Sequence, residues 1–190
     1  MPTFLNSGAF ADVFDMGDGY VAKVFRRKPC THEPVIDWED HDWIVRMVCN
    51  VELAAYAKVA LDPEIADHFP RCHGIISAID VPPAARGPRY VAGCAFRIER
   101  VNGHDQKVGL LRPPLRPRAD LVLARVKELC PRIETVDASC FVPGPRAAFS
   151  LIDFALWRDM GDAQMILGQT GKVPTELRRR LCIVSGVPDV

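Results

Sequence analysis

The chain has 190 residues, 48% of them hydrophobic and 25% charged, which provides apolar side chain for one ordinary domain or two small ones and excludes global disorder. Lys+Arg and Asp+Glu balance at 24 each, so no whole-molecule field draws it to nucleic acid or an anionic membrane surface. The start Met1-Pro2-Thr3-Phe4-Leu5 has no basic region and no run approaches the roughly 18 apolar residues of a bilayer span. A soluble, cytoplasmic protein with no membrane or nucleic-acid partner is therefore expected. Seven cysteines stand singly at Cys30, Cys49, Cys72, Cys94, Cys130, Cys140 and Cys182. Their odd number and lack of paired spacing predict reduced, buried thiols rather than disulfides. Cys30-Thr31-His32 and Cys72-His73 crowd their potential ligands too closely for a tetrahedral zinc site.

In chain order, Phe4-Leu5 leads into Asn6-Ser7-Gly8-Ala9, then Phe10 to Phe14, the turn Gly17-Asp18-Gly19, and Tyr20 to Phe25. Short strands around glycine-rich turns predict an antiparallel meander. Alternation puts Val21, Lys23 and Phe25 on one face and Tyr20, Ala22 and Val24 on the other, so Lys23 stands on a sheet between apolar neighbours. A polar stretch over 26–42 follows, read as a loop that runs into a helix near Asp37. No Gly or Pro interrupts Trp43 to Leu61, where Val48, Glu52, Ala55, Tyr56 and Val59 recur at helical spacing. That pattern predicts a long helix ending before Asp62-Pro63. Glu52 lies on or beside its apolar stripe, an expensive place for a lone carboxylate, and is expected to have a basic partner.

Strands are predicted over Ile75 to Val81 and Tyr90 to Val101, before Asn102-Gly103 breaks the pattern. A domain boundary is expected there, between 1–101 and 102–190. Arg112-Pro113-Pro114-Leu115-Arg116-Pro117-Arg118 reads as a stiff, extended basic segment. A helix from Ala119 to Cys130 follows, and Cys140-Phe141-Val142 with Ala148 to Ile152 forms a hairpin around Pro143-Gly144-Pro145-Arg146. Helices are predicted near Gly161 to Leu167 and, N-capped by Thr175, through Cys182.

Several segments carry a chemical pattern. Asn6 to Val13 matches the glycine-rich loop GxGxFGxV at Gly8, Phe10 and Val13, with Asn6 and Ala11 in place of the outer glycines. Val21-Ala22-Lys23 matches the VAIK-type strand, Glu52 falls in the helix that follows, Tyr90 to Gly103 matches a strand and hinge, and Leu151-Ile152-Asp153-Phe154-Ala155 matches the (L/I)IDFG segment. In this order they resemble the protein-kinase-like superfamily over residues 4–160. The resemblance implies an α+β, two-lobed protein-kinase-like fold with a five-stranded antiparallel N-lobe over 1–101 and a truncated helical C-lobe over 102–190.

It also implies ATP and Mg²⁺ or Mn²⁺ as cofactors. Lys23, paired with Glu52, would grip the phosphates. Gly8, Phe10, Val13, Ala22, Glu99 and Val101 would line the nucleotide, and Asp153 would hold the metal. Taken singly, the glycine turn also suits an ordinary hairpin, Lys23 a surface lysine with a buried stem, and Asp153 a turn cap. A cation on the sheet and a carboxylate on the helix's inner face would neutralise each other and fix an ammonium beside the glycine turn.

The pattern departs from the family in the catalytic loop. Active kinases carry HxDxxxxN there, whereas Ile133 to Val142 has no His before Asp137 and places Cys140 where the Asn is expected. Asp137 is the candidate base, or simply a turn residue. The stretch after Asp153 contains no APE-like segment, and Gly161-Asp162-Ala163 is similar to the GDP segment of aminoglycoside-phosphotransferase-like kinases. The expected activity is a minimal, effector-type kinase that phosphorylates a hydroxyl, with a protein substrate ahead of a small molecule. If it is a secreted effector, its compartment would be a host cytoplasm. The rivals are a pseudokinase that binds nucleotide or protein without transfer, and an interaction protein using the Pro-rich segment 112–118.

Overall fold

Alternating apolar residues make the first strands antiparallel partners. The computed structural model describes residues 1–8, 10–27, 38–136, 138–157 and 172–179. β1 (Thr3–Ser7), β2 (Ala11–Asp15) and β3 (Tyr20–Arg26) pair in sequence. The β2–β3 hairpin closes through Gly17 and Gly19, whose φ values of 81° and 84° suit residues without a Cβ. α1 (Trp38–Ala60) then crosses one face of the sheet, its described start close to the one expected near Asp37 and ahead of the apolar run from Trp43. Its predicted stripe is the buried one: Val48, Glu52, Ala55, Tyr56 and Val59 are all at most 7% exposed. β4 (Cys72–Ile75) and β5 (Tyr90–Glu99) complete a mixed α+β arrangement, a five-stranded antiparallel sheet of order β1-β2-β3-β5-β4.

The two faces of this sheet are covered unequally. Ala11, Phe25, Phe96 and Ile98 join α1 in the main core. Phe14, Ala22, Val24, Ala85 and Ala95 form a smaller cluster on the other face, under Ile76, Val81 and Tyr90. The strand expected over Ile75 to Val81 lies earlier, because β4 ends at Ile75. Ser77 and Asp80 close a turn through a 2.6 Å side-chain hydrogen bond, and the amides of Asp80 and Val81 return to the Ser77 carbonyl. Turn chemistry outweighs β-branched propensity there, and Ile75 and Ile79 stay exposed.

Past residue 102, β6 (His104–Lys107) pairs with β8 (Ser139–Val142), which pairs with β9 (Ser150–Ile152). β7 (Ile133–Glu134) pairs with β10 (Leu156–Trp157). Among the described residues, this half carries these five short strands beside one long helix, where a helical character was expected. The basic segment 112–118 is not extended throughout, since α2 (Leu115–Leu129) begins inside it. Pro117 occupies the first turn, where a missing N–H leaves no bond unmade, and Arg116 reaches Asp120 at 2.8 Å. α2 buries Ala119, Val122, Leu123 and Val126.

The β8–β9 connection passes so close to itself that a Cβ on Gly144 would lie 2.5 Å from the Phe149 carbonyl carbon. The helix expected over 161–167 lies outside the described residues, and the one through Cys182 is described over 175–179. Cys49, Cys72, Cys94, Cys130 and Cys140 are free thiols, mostly buried. No helix among the described residues is long and apolar enough to cross a membrane.

Candidate functional site

Three segments far apart in the chain meet at Lys23. Its Nζ lies 2.7 Å from Glu52 Oε1 and 3.0 Å from Asp153 Oδ1. β3 carries the lysine on the face turned to α1, α1 presents Glu52 from its buried stripe, and Asp153 directly follows β9. The Lys23 and Glu52 side chains are 17% and 7% exposed, against 52% for Asp153. An inner ion pair thus has a second carboxylate at its solvent end. Burial acts to lower the Lys23 pKa, but the charges of Glu52 and Asp153 outweigh it and hold the ammonium well above its ordinary value. Burial pushes the Glu52 carboxyl up; Lys23 offsets part of this and Asp153 adds to it.

Backbone geometry explains how Asp153 faces outward while its neighbour is buried. Its φ of 50° is the one positive value at a non-glycine among the described residues, a conformation that short Asp tolerates better than most side chains. Phe154 then turns inward and is fully buried. Its ring meets Tyr56 edge-on at 5.0 Å and Phe69 at 4.6 Å. Tyr56 lies one turn beyond Glu52 on α1, so a single helix face supplies the lysine's partner and also anchors the residue that aims Asp153.

The glycine turn lies at the end of β1. The Gly8 amide donates to the Ala11 carbonyl at 2.8 Å, and the Arg26 amide to the Phe10 carbonyl at 2.9 Å. Phe10 packs against the main core. Val13 stands opposite Lys23 in the β2–β3 register, with Phe96 opposite on the β5 side. Ala22 does not join this group. Alternation turns it to the other face, where it is 1% exposed beside Phe14 and Val24, and the β3 residues flanking Lys23 on its own face are Val21 and Phe25.

Glu99 ends β5. Its amide donates to the Arg71 carbonyl at 2.8 Å and the next amide, Arg100, to Gly19 at 2.9 Å. Among the described residues, the Val101 amide donates to no backbone carbonyl. The Glu99 carboxylate accepts from the Arg71 amide at 3.0 Å and from Arg146, which also binds the Phe69 carbonyl. That side chain ties the end of β5 to the β8–β9 loop.

Asp137 lies outside the described residues; on either side of it, the Ala138 amide donates to the Thr135 carbonyl at 3.1 Å. Cys140 is fully buried in β8, where burial pushes its thiol pKa up. It offers nothing to a hard cation. No group of three His, Cys, Asp or Glu converges as a metal cage among the described residues.

Sequence reasoning missed two supports of the site. One is the Tyr56–Phe69 seat for Phe154, whose signal is an aromatic one helical turn after Glu52. The other is Asp12, 1% exposed, an acid at an inward position of an apolar strand. Burial opposes its ionisation, yet hydrogen bonds from Ser7, Tyr90 and Arg26 and the Arg89 charge hold its carboxyl below the usual range. Compared with family models, curated proteins and solved structures, the chain matches none.

Proposed function

We propose that the protein is a minimal, kinase-like phosphotransferase that moves the γ-phosphoryl of ATP to a hydroxyl, with a protein as the preferred acceptor. The observation that carries this reading is the convergence of Lys23, Glu52 and Asp153 within 3.0 Å contacts from β3, α1 and the residue after β9. In this reading the five-stranded sheet with α1 is the N-lobe and the smaller sheets with α2 form a reduced C-lobe. Lys23, fixed by Glu52, would hold phosphate oxygens. The turn at Gly8 and Phe10 would cover them, Val13 and Val21 would pack on the base, and the backbone at Glu99 to Val101 would meet its polar edge.

The residues present fit a magnesium ion only in a particular way. Asp153 is half exposed and contacts Lys23 through Oδ1, so it can serve as the single carboxylate of an ion otherwise held by phosphates and water. Bound there, the ion would offset charge on the transferred phosphoryl group. Asp137 would orient the acceptor hydroxyl. Positioning and charge compensation supply most of the rate in such chemistry. The buried Cys140 at the position of the family's Asn favours a second reading, a pseudokinase that binds nucleotide without transfer.

Incubation with γ-labelled ATP and Mg²⁺ or Mn²⁺, with and without a generic acceptor protein, tests both. Label transfer by the wild type that is lost in Asp153→Asn supports the transferase. Nucleotide binding without transfer supports the pseudokinase, and neither binding nor transfer overturns both.

A further inference from the structure

On the sheet face away from Lys23, a charged network is tied directly to the glycine turn. Asp12 accepts hydrogen bonds from Ser7 Oγ at 2.6 Å, Arg26 Nε at 3.0 Å and Tyr90 Oη at 2.8 Å, with Arg89 at 3.3 Å. The same Arg26 donates to Ser7 Oγ at 3.0 Å and to the Gly8 carbonyl at 2.6 Å. The Asp12 side chain is 2% exposed and that of Arg26 15%, so the bonds made to Asp12 are partly shielded from the solvent that weakens surface ion pairs, while the Arg26 bonds to Ser7 and to the Gly8 carbonyl lie at the exposed end of the network. Asp12, Arg26 and Tyr90 share this face by register: Asp12 pairs with Val24, and Arg26 with Tyr90.

We propose that Asp12 and Arg26 are positioning residues which hold the Ser7–Gly8 turn with its Gly8 carbonyl on the outer face, and that this sets affinity for the phosphates of a nucleotide. The inference rests on the nucleotide-binding reading above. A carbonyl oxygen turned toward Lys23 would repel a polyphosphate, whereas amide N–H groups attract it. Arg26 draws that oxygen the other way. A turn with glycines at all three motif positions can re-aim its peptides freely, but here Asn6 and Ala11 stand at two of them. An external brace does what backbone freedom would otherwise do. Ser7 is engaged on both sides, donating to Asp12 and accepting from Arg26, so its hydroxyl belongs to the brace rather than to the ligand.

Calorimetric titration of the full chain with Mg·ATP and, separately, adenosine tests this, because only the first ligand carries phosphates. Arg26→Gln and Asp12→Asn should each weaken Mg·ATP binding about tenfold, the equivalent of one charge-assisted hydrogen bond, and change adenosine binding by less than about twofold. Should either variant fail to fold, Ser7→Ala at an exposed position removes one arm of the brace and should show the same asymmetry in smaller measure. Equal weakening for both ligands, the mark of a merely structural role, overturns the proposal, as does no change for Mg·ATP. A wild type that binds neither ligand overturns the nucleotide reading itself, and the brace with it.

Discussion

Lys23→Met removes a charge with little change in bulk, and its cost follows from the burial of Glu52. At 7% side-chain exposure Glu52 cannot turn to water, so without Lys23 it stays charged and unpaired or takes up a proton. Leaving a buried charge without its partner costs about 3–5 kcal/mol. Protonation caps that penalty. A glutamate with an unfolded pKa of about 4.3 costs about 1.4 kcal/mol per pH unit above that value to keep protonated, hence roughly 3.7 kcal/mol at pH 7 and about 1 kcal/mol at pH 5.

The sign is set by the direction of the shift. In the variant, the folded carboxyl binds its proton more tightly than the unfolded one, so stability is greatest below the unfolded pKa and is lost progressively as pH rises from there to the raised folded pKa. The gap to wild type should therefore widen from pH 5 to pH 7 by about 2–3 kcal/mol. Urea denaturation followed by tryptophan fluorescence at both pH values, with m-values compared, measures it. Lys23→Met/Glu52→Gln should recover much of the loss at pH 7. A gap of equal size at both pH values, or a double variant no more stable than the single one, refutes the buried pair.

Phe154→Ala should destabilise by about 3–5 kcal/mol, because the fully buried ring leaves a cavity between Tyr56 and Phe69; a loss below about 1 kcal/mol in the same denaturation assay would mean the seat collapses freely. His68 stacks on Phe149 at 4.3 Å, and burial lowers its pKa, helped by the Arg118 charge, against the Phe149 carbonyl and Asp67. Its folded pKa lies below the unfolded value of about 6.5, so its contribution is lost as pH falls from there toward the folded value. His68→Phe should flatten the melting temperature between about pH 6.5 and 5, and an unchanged slope would assign it elsewhere.

The first sheet and α1 were legible because their signals are local. Alternation around Gly17 and Gly19, and a helical stripe with no Gly or Pro, each point one way. The segment after β4 was not, since Ile75, Ile76 and Ile79 look like a buried strand while the Ser77–Asp80 turn decides the path. Nor was the start of α2: prolines suggest extended chain, yet Pro117 costs nothing in a first turn, and the Arg116–Asp120 pair forms only once the helix exists.

The site shows the same division between local and long-range information. Lys23 and Glu52 could be paired in advance because each is anomalous where it stands, a cation on an apolar strand and a carboxylate on an apolar stripe. Ala22 was misplaced by motif likeness, although strand alternation already separates it from Lys23. Asp153 could be named, but not its posture, which needs Phe154 seated on Tyr56 and Phe69, residues distant from it in sequence. The same ring that buries apolar area under α1 therefore fixes a carboxylate 3.0 Å from the lysine. Packing and charge are coupled here through one dipeptide: moving Phe154 out of its seat would also carry Asp153 away from Lys23 and leave Glu52 as the ammonium's sole acidic partner within the trio.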